Sequence, residues 1–553
     1  MSNRRGTTGA RRLATGAAGA ALLISVLTLL ARLAGFGRTV VFTNAVGADS
    51  TGDTYQAANN VPNIVFEVVA GGALASLVVP MLAGGIAVGD REQVRRTAGA
   101  LLGWTLLVLV PLATLLALLA RPIAAALLGG DAGNPAKVDL AARFLLVFAP
   151  QVVLYGLAVV LTGVLQAHRR FAGPALAPLL SSLVVAGSYL LFAGIGGGRE
   201  VAELSTPAEL VLGIGTTLGV VALAGSLLLP LRGLHLGLRP SLRFPVGAAP
   251  RVRRLALAGV LTLAGQQLVA VVAIRLANAG APDGTQVVYF AGMTVFLLPW
   301  AALAVPIATS VYPGLSERAD RGDEAGYAAT LAPAAALTLV AGAVAAAGLV
   351  AVSGPMARVF LASAEDAGRA AALQPTIVAF APGLLGYGLI ALFSRALYAR
   401  GLWRSPTVCV AGGWLVAVAA DLVLAHVLPA ADRALALAAG HSIGVTVAGL
   451  ALLLVVVRAA GARALTGVAR TALPALLAGV LGGGAGLLTA RALGADPVPG
   501  GGVGAAVATG VATGGVVLVV AAAVMMGTSR RPLLAAVAGL RGSSEAEVAH
   551  VRA

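Results

Sequence analysis

Residues 148–174 read FAPQVVLYGLAVVLTGVLQAHRRFAGP, and residues 380–406 read FAPGLLGYGLIALFSRALYARGLWRSP. The two align without a gap at an offset of 232 positions. Phe148/Phe380, Pro150/Pro382, Tyr155/Tyr387, Gly156/Gly388, Leu165/Leu397, Ala167/Ala399 and Pro174/Pro406 are identical pairs. A weaker match at offset 233 pairs Pro80, Gly89 and Asp90 with Pro313, Gly322 and Asp323. Each long copy is an apolar run, an arginine-bearing corner and the start of a second apolar run. A duplication on this scale organises the whole chain.

The surrounding composition decides what is duplicated. Of 553 residues, 59% are hydrophobic and only 11% charged, more apolar surface than a soluble chain can hide. Apolar runs long enough to span a bilayer recur about fourteen times between residues 17 and 527, among them 17–46, 54–86, 252–279, 286–314 and 372–399. Strand-type alternation is lacking, so the spans read as helices. The fold class is therefore all-α, a polytopic membrane protein of about fourteen transmembrane helices.

Arginine is dense in every second loop, as in GDREQVRR (89–96), AHRRF (167–171) and ARGLWR (399–404). It is sparse in the others, such as GADSTGD (47–53) and GAPDG (280–284). By the positive-inside rule both termini are expected in the cytoplasm. The net charge of +16 then reflects topology and attraction to anionic membrane lipids, and its dispersal over many loops argues against nucleic acid.

Both repeat matches shift the chain by six segments, an even number, so the copies share orientation and are related by an axis along the membrane normal. The expected organisation is a basic tail (1–16), a first lobe (17–234), a basic linker (235–251), a second lobe (252–458), a helix pair (464–527) and a second tail (528–553). Two like-oriented bundles are the architecture of an alternating-access transporter. The lone Cys409 excludes a disulfide. No phosphate-binding loop, catalytic triad or metal-ligand spacing occurs, so neither an enzyme nor a cofactor is expected.

Charges inside the apolar runs are the candidate functional residues. Arg32 and Arg38 lie in the first segment with Gly35 and Gly37 between them. Six residues of helix turn about 600°, so the two point about 120° apart and could border one wide cavity. The competing reading is snorkelling to an interface. Glu67 in the second segment is expected to pair with Arg32 or Arg38, or to act in coupling. Asp53 opens that segment, where a helix N-terminus favours an acid. Arg275 and Arg395 read as snorkelling residues near segment ends. Asp421, deep in the eleventh segment, reads either as a cation or proton site or as a satisfied structural acid.

The stretch ARLAGFGRTVVFTNAVGADSTGDTYQAANNVPNIVFEVVAGGALASLVVPML (31–82) closely resembles the amino-terminal signature of the MurJ/MviN-type lipid II flippases. These share a superfamily with the multidrug (MATE) exporters and polysaccharide-lipid flippases. Arg32, Gly35, Phe36, Arg38, Asp53, Pro62, Asn63, Gly72, Ala73 and Pro80 fall on the signature positions. The resemblance implies transfer of an undecaprenyl-pyrophosphate-linked peptidoglycan precursor (lipid II or a related polyprenyl-pyrophosphate lipid) from the inner to the outer leaflet of the bacterial plasma membrane. Arg32, Arg38, Asp53, Asn63 and Glu67 would then bind substrate. A guanidinium suits that role because it is always charged and forks onto phosphate oxygens.

This chain departs from well-known members in two places. Phe66 and Glu67 stand where they carry arginine after the Pro-Asn pair, and AGMTVFLLP (291–299) has no charge where they carry another arginine. Some members bind sodium with their seventh, eleventh and twelfth helices. Here no carboxylate lies between Arg254 and Asp283, which leaves Asp421 and hydroxyls such as Thr446 for ion coupling. The coupling source is Na+, a proton or the membrane potential, and cell-wall synthesis proteins are expected partners. A drug or polysaccharide-lipid exporter of the same superfamily and a non-transporting membrane scaffold are the alternatives.

Overall fold

The computed structural model describes the backbone of residues 5–68, 75–129, 134–198, 200–243, 248–363, 367–494 and 502–550. Gly72 and Ala73 of the signature, residues 1–4 of the predicted first tail and 551–553 of the second lie outside the described residues. Every regular element among the described residues is helical, as lipid demands of a backbone that must satisfy its own hydrogen bonds.

Eleven helices are long and apolar enough to cross a membrane, or twelve when one bent pair counts as a single span. The two other expected spans, 54–86 and 252–279, are represented by the shorter apolar helices Val78–Ala87 and Leu263–Asn278. The chain divides into two compact units, Met1–Val46 with Ser50–Gln267, and Gly47–Asp49 with Leu268–Ala553.

The first unit holds α1 (Arg5–Ala45), α2 (Ser50–Phe66), α3 (Ala75–Ala87), α4 (Arg91–Leu118), α5 (Ala120–Leu128), α6 (Pro135–Ala167), α7 (Ala172–Gly194), α8 (Thr206–Ser226), α9 (Leu228–Arg232) and the start of α10 (Ala248–Asn278). Helix starts follow local chemistry. Asp90 accepts from Gln93 N at 2.9 Å to open α4, and Asn134 accepts from Lys137 N at 3.2 Å ahead of Pro135 to open α6. The core packs Val78 and Leu82 of α3 against Val94, Ala98 and Leu101 of α4 and Val160 and Val164 of α6. The expected 54–86 span contains α2 to Phe66, a π turn at residues 67–68 and α3 from Ala75, and residues 69–74 lie outside the described residues.

The second unit continues with α11 (Thr285–Pro299), α12 (Val305–Asp320), α13 (Glu324–Phe360), α14 (Ala367–Phe380), α15 (Gly383–Ala399), α16 (Arg404–Val427), α17 (Arg433–Ala460), α18 (Val468–Ala492) and α19 (Val503–His550). Its core joins Leu315, Tyr327, Leu331, Leu392, Phe393 and Leu397. A five-residue π stretch, Trp300–Ala304, joins α11 to α12. The expected 372–399 span is bent by 42° between α14 and α15, ahead of Gly383. α19 carries a non-helical residue, Ser529 (φ −142°), where the second tail was expected to begin.

The duplicated stretches fold alike in their own units. In the first, Arg169 has φ 57°, Arg169 N donates to Gln166 O at 2.9 Å and Arg170 N to Leu165 O at 2.8 Å. At the matching positions of the second, Gly401 has φ 73°, Gly401 N donates to Tyr398 O at 2.9 Å and Leu402 N to Leu397 O at 3.0 Å. Both are helix ends closed through one left-handed residue. The weaker match behaves the same way, with Gly89 (φ 72°) and Gly322 (φ 67°) preceding the capping residues Asp90 and Asp323.

Candidate functional site

Within the first unit, α1, α2, α6, α7 and α8 enclose a cavity of about 280 Å³. Its polar wall comprises Arg38 of α1, Asn59 and Asn63 of α2, Tyr155 of α6, Ser181, Ser182 and Tyr189 of α7 and Thr216 of α8. Arg38 is the one charged residue among its described lining residues. α1 packs on α7, which turns Arg38 toward that wall. Its guanidinium lies within electrostatic reach of Tyr55, Tyr155 and Tyr189. It has no hydrogen-bond or ion-pair partner among the described residues. Its N–H donors are therefore free for a ligand.

A buried hydroxyl chain fixes one side of the cavity. Thr216 Oγ1 donates to Leu212 O at 2.7 Å, which commits its only proton. The Tyr55 hydroxyl, 2.5 Å away, must therefore donate to Thr216, and Tyr189, 2.9 Å from Tyr55, donates to it in turn. The Tyr55 ring is clamped by Phe42, Phe144 and Phe148 at centroid distances of 5.4, 5.6 and 5.9 Å. Asn63 Nδ2 donates one of its two N–H groups to Asn59 O at 2.9 Å. That bond leaves its second N–H and its carbonyl oxygen, with the Ser181, Ser182 and Tyr155 side chains, as the adaptable polar groups.

The expected site residues divide. Arg38 and Asn63 line the cavity; Arg32 is exposed and is not part of its wall. Asp53 is 1% exposed in the first turn of α2 and is likewise outside the wall. Glu67 is exposed and forms no ion pair with Arg32 or Arg38, which corrects the expected pairing. The reason is packing: α1 lies against α7, so Arg38 points toward α6 and α7 while Glu67 stays exposed at the end of α2. Asn59, Tyr155, Ser181, Ser182, Tyr189 and Thr216 were not anticipated as wall residues. Polar residues isolated within apolar runs were the available signal.

The second unit carries a different polar feature. Asp421 of α16 is fully buried, and both carboxylate oxygens lack a partner among the described residues. It packs on Gly440 of α17, where a Cβ would overlap the carboxylate, and stands within electrostatic reach of Tyr289. Next to Gly440, His441 is 6% exposed, with neither ring nitrogen partnered among the described residues. Phe296, Phe380 and Trp414 surround its ring at 5.7, 5.7 and 5.5 Å. Thr446 lies further along α17, where its backbone faces Gly386 of α15, so it and Asp421 meet different neighbours. Arg275 does not snorkel freely, since its Nη1 is buried with no partner among the described residues. Arg395 donates to Ala391 O of its own helix at 2.8 Å.

A protein-family profile described as "Lipid II flippase MurJ" matches residues 42–493. The chain is 28% identical over 406 residues to a "Probable lipid II flippase MurJ" of Rhizobium meliloti (strain 1021), covering 72% of this chain and 73% of that protein. It is 24% identical over 430 residues to the "Lipid II flippase MurJ" of Burkholderia cenocepacia, covering 76% and 81%. Among solved structures, its fold is similar to "Lipid II flippase MurJ, inward closed conformation", with a TM-score of 0.70 at 19% identity over 92% of this chain and 100% of that one. It is also similar to an inward-facing MATE-family multidrug resistance transporter, with a TM-score of 0.64 at 14% identity over 81% and 99%.

Proposed function

The chain belongs to the lipid II flippase MurJ family, and on that premise we propose that Arg38 and its cavity hold the pyrophosphate of lipid II while the headgroup crosses the membrane. The protein is a multi-pass membrane transporter that moves lipid II between leaflets. One observation carries the assignment of the site: an unpaired guanidinium faces a cavity whose other polar groups are neutral hydroxyls and amides. A charged donor fork without a protein partner among the described residues favours a phosphate oxygen over a neutral acceptor. Ser181, Ser182 and the Asn63 carbonyl offer hydrogen bonds to the remaining polar atoms of the bound group. The polyprenyl tail stays in lipid.

Asp421 is the candidate coupling group, because a fully buried carboxylate without a protein partner is stabilised by taking up a proton or a cation. The arginine-rich loops support a cytoplasmic position for both termini, and cell-wall synthesis proteins are the expected partners. The test is complementation. In a strain depleted of its own lipid II flippase, the wild-type chain should restore outer-leaflet lipid II, and Arg38→Ala should not, at equal membrane abundance. Restoration by Arg38→Ala would remove this site from the mechanism.

A further inference from the structure

The first unit has a second hollow, apart from the Arg38 cavity. It measures about 570 Å³ and lies among α4, α6, α9 and the chain that follows α9. An adjoining groove of about 430 Å³ shares Leu106 and Pro240 with it. The interior is leucine, including Leu102, Leu157, Leu161 and Leu228, and the cationic and imidazole groups of its wall are Arg232 and His235. No carboxylate lines either hollow among the described residues.

The roof is a strap of chain, residues 233–243, laid along α4. Ser241 N donates to Gly99 O at 2.9 Å, and Trp104 Nε1 donates to Leu242 O at 3.1 Å. Gly99 and Gly103 make this approach feasible, since a Cβ at either would overlap the strap backbone at Arg239 or Ser241. Arg170 anchors the start of the strap, with Nη1 donating to Pro230 O at 3.0 Å and Nη2 to Gly233 O at 3.1 Å. His235 sits in the left-handed region at φ 50°, a conformation uncommon for a non-glycine residue.

We propose that this hollow binds one anionic glycerophospholipid, with its phosphate at Arg232 and His235 and one acyl chain running past Leu106 between α4 and α6. Three features favour that occupant. The half-exposed Trp104 indole combines an apolar ring with an N–H committed to the strap, as suits a residue that meets lipid on one side and a polar group on the other. The interior is apolar and continues into the second groove, as an acyl chain requires. The cationic rim with no neighbouring acid complements a phosphodiester whose headgroup adds no positive charge. The bound lipid then braces the strap against α4, an effect that does not depend on which lipid is transported.

The full-length protein would be placed in nanodiscs of equimolar phosphatidylglycerol and phosphatidylcholine, and its retained lipids counted by native mass spectrometry. Amide exchange at Ser241 would be followed in discs of either lipid alone. Wild type should retain phosphatidylglycerol in preference and protect Ser241 better in phosphatidylglycerol discs. Arg232→Gln, at an exposed position, should lower that preference about fivefold, the share of one cation near an anionic headgroup. Leu228→Trp, at a position 46% exposed, should reduce retention of both lipids by filling the channel. Equal retention of the two lipids by wild type, or an unchanged preference in Arg232→Gln, would overturn the proposal. So would full retention in Leu228→Trp, or displacement of phosphatidylglycerol by undecaprenyl phosphate.

Discussion

Replacing Arg38 separates binding from folding. The guanidinium is half-buried and has no protein partner among the described residues, so its removal strands no buried group. Stability should change by less than about 0.5 kcal/mol. Binding should change far more. Arg38 is the one charged residue among the described residues of the cavity wall, so Arg38→Ala removes its whole formal charge. A guanidinium and a phosphate about 4 Å apart attract by about 4 kcal/mol at an effective dielectric of about 20, and a charged hydrogen bond is worth about 1.5–3 kcal/mol net of water. Taking about 2–3 kcal/mol, affinity for lipid II should fall about 30- to 150-fold. Arg38→Lys keeps the charge but loses the fork and should fall about tenfold. Glu67→Gln has no ion pair to release among the described residues and should stay within about twofold of wild type. Native mass spectrometry with lipid II reads the affinities, and thermal unfolding in detergent reads the folds. An Arg38→Ala protein that binds within threefold of wild type refutes the cavity as the pyrophosphate site.

Tyr55→Phe should lower stability by about 1–3 kcal/mol, because it leaves the buried Tyr189 hydroxyl without its acceptor; the double variant with Tyr189→Phe should recover part of the loss, and an unchanged unfolding midpoint for Tyr55→Phe would contradict the hydroxyl chain. Arg169→Gly should stabilise the first corner by about 1 kcal/mol and Gly401→Ala destabilise the second by a similar amount, since both positions are left-handed; equal midpoints for both variants and wild type would show that neither corner limits stability. Asp421→Asn should fold normally but make transport in vesicles indifferent to imposed Na+ and pH gradients, and a retained gradient response would exclude Asp421 as the coupling group. In a Cys409→Ala background, an impermeant thiol reagent should reach a cysteine at Asp283 from outside and one at Arg243 only after permeabilisation; the reverse pattern would invert the topology.

The duplicated corners were legible because a helix end is decided by a few neighbouring residues. Matching sequence therefore returned matching bonds at Leu165 and Leu397, even with arginine in one copy and glycine in the other. The membrane class and the family were legible for the same kind of reason: apolar length, loop charge and the Arg32–Arg38 signature are properties of the linear chain. Two interruptions went unread, the π stretch at Trp300–Ala304 and the bend ahead of Gly383, although Pro299 and Pro382 stand at them. In lipid a proline is tolerated where neighbouring helices absorb it, so it does not announce a break.

Which residues face one another was decided only by the packed helices. Arg32 and Arg38 share a segment and a signature, yet Arg38 lines the cavity and Arg32 does not. Glu67 looked like a partner for both and pairs with neither. Tyr155, Ser181, Tyr189 and Thr216 come from three helices and meet through the rotation of each about its axis. In a soluble helix that rotation is written as a 3.6-residue alternation of polar and apolar faces. In this chain the outward face meets lipid and the inward face meets other helices. Both favour apolar side chains, so the periodic signal that fixes facing is largely cancelled.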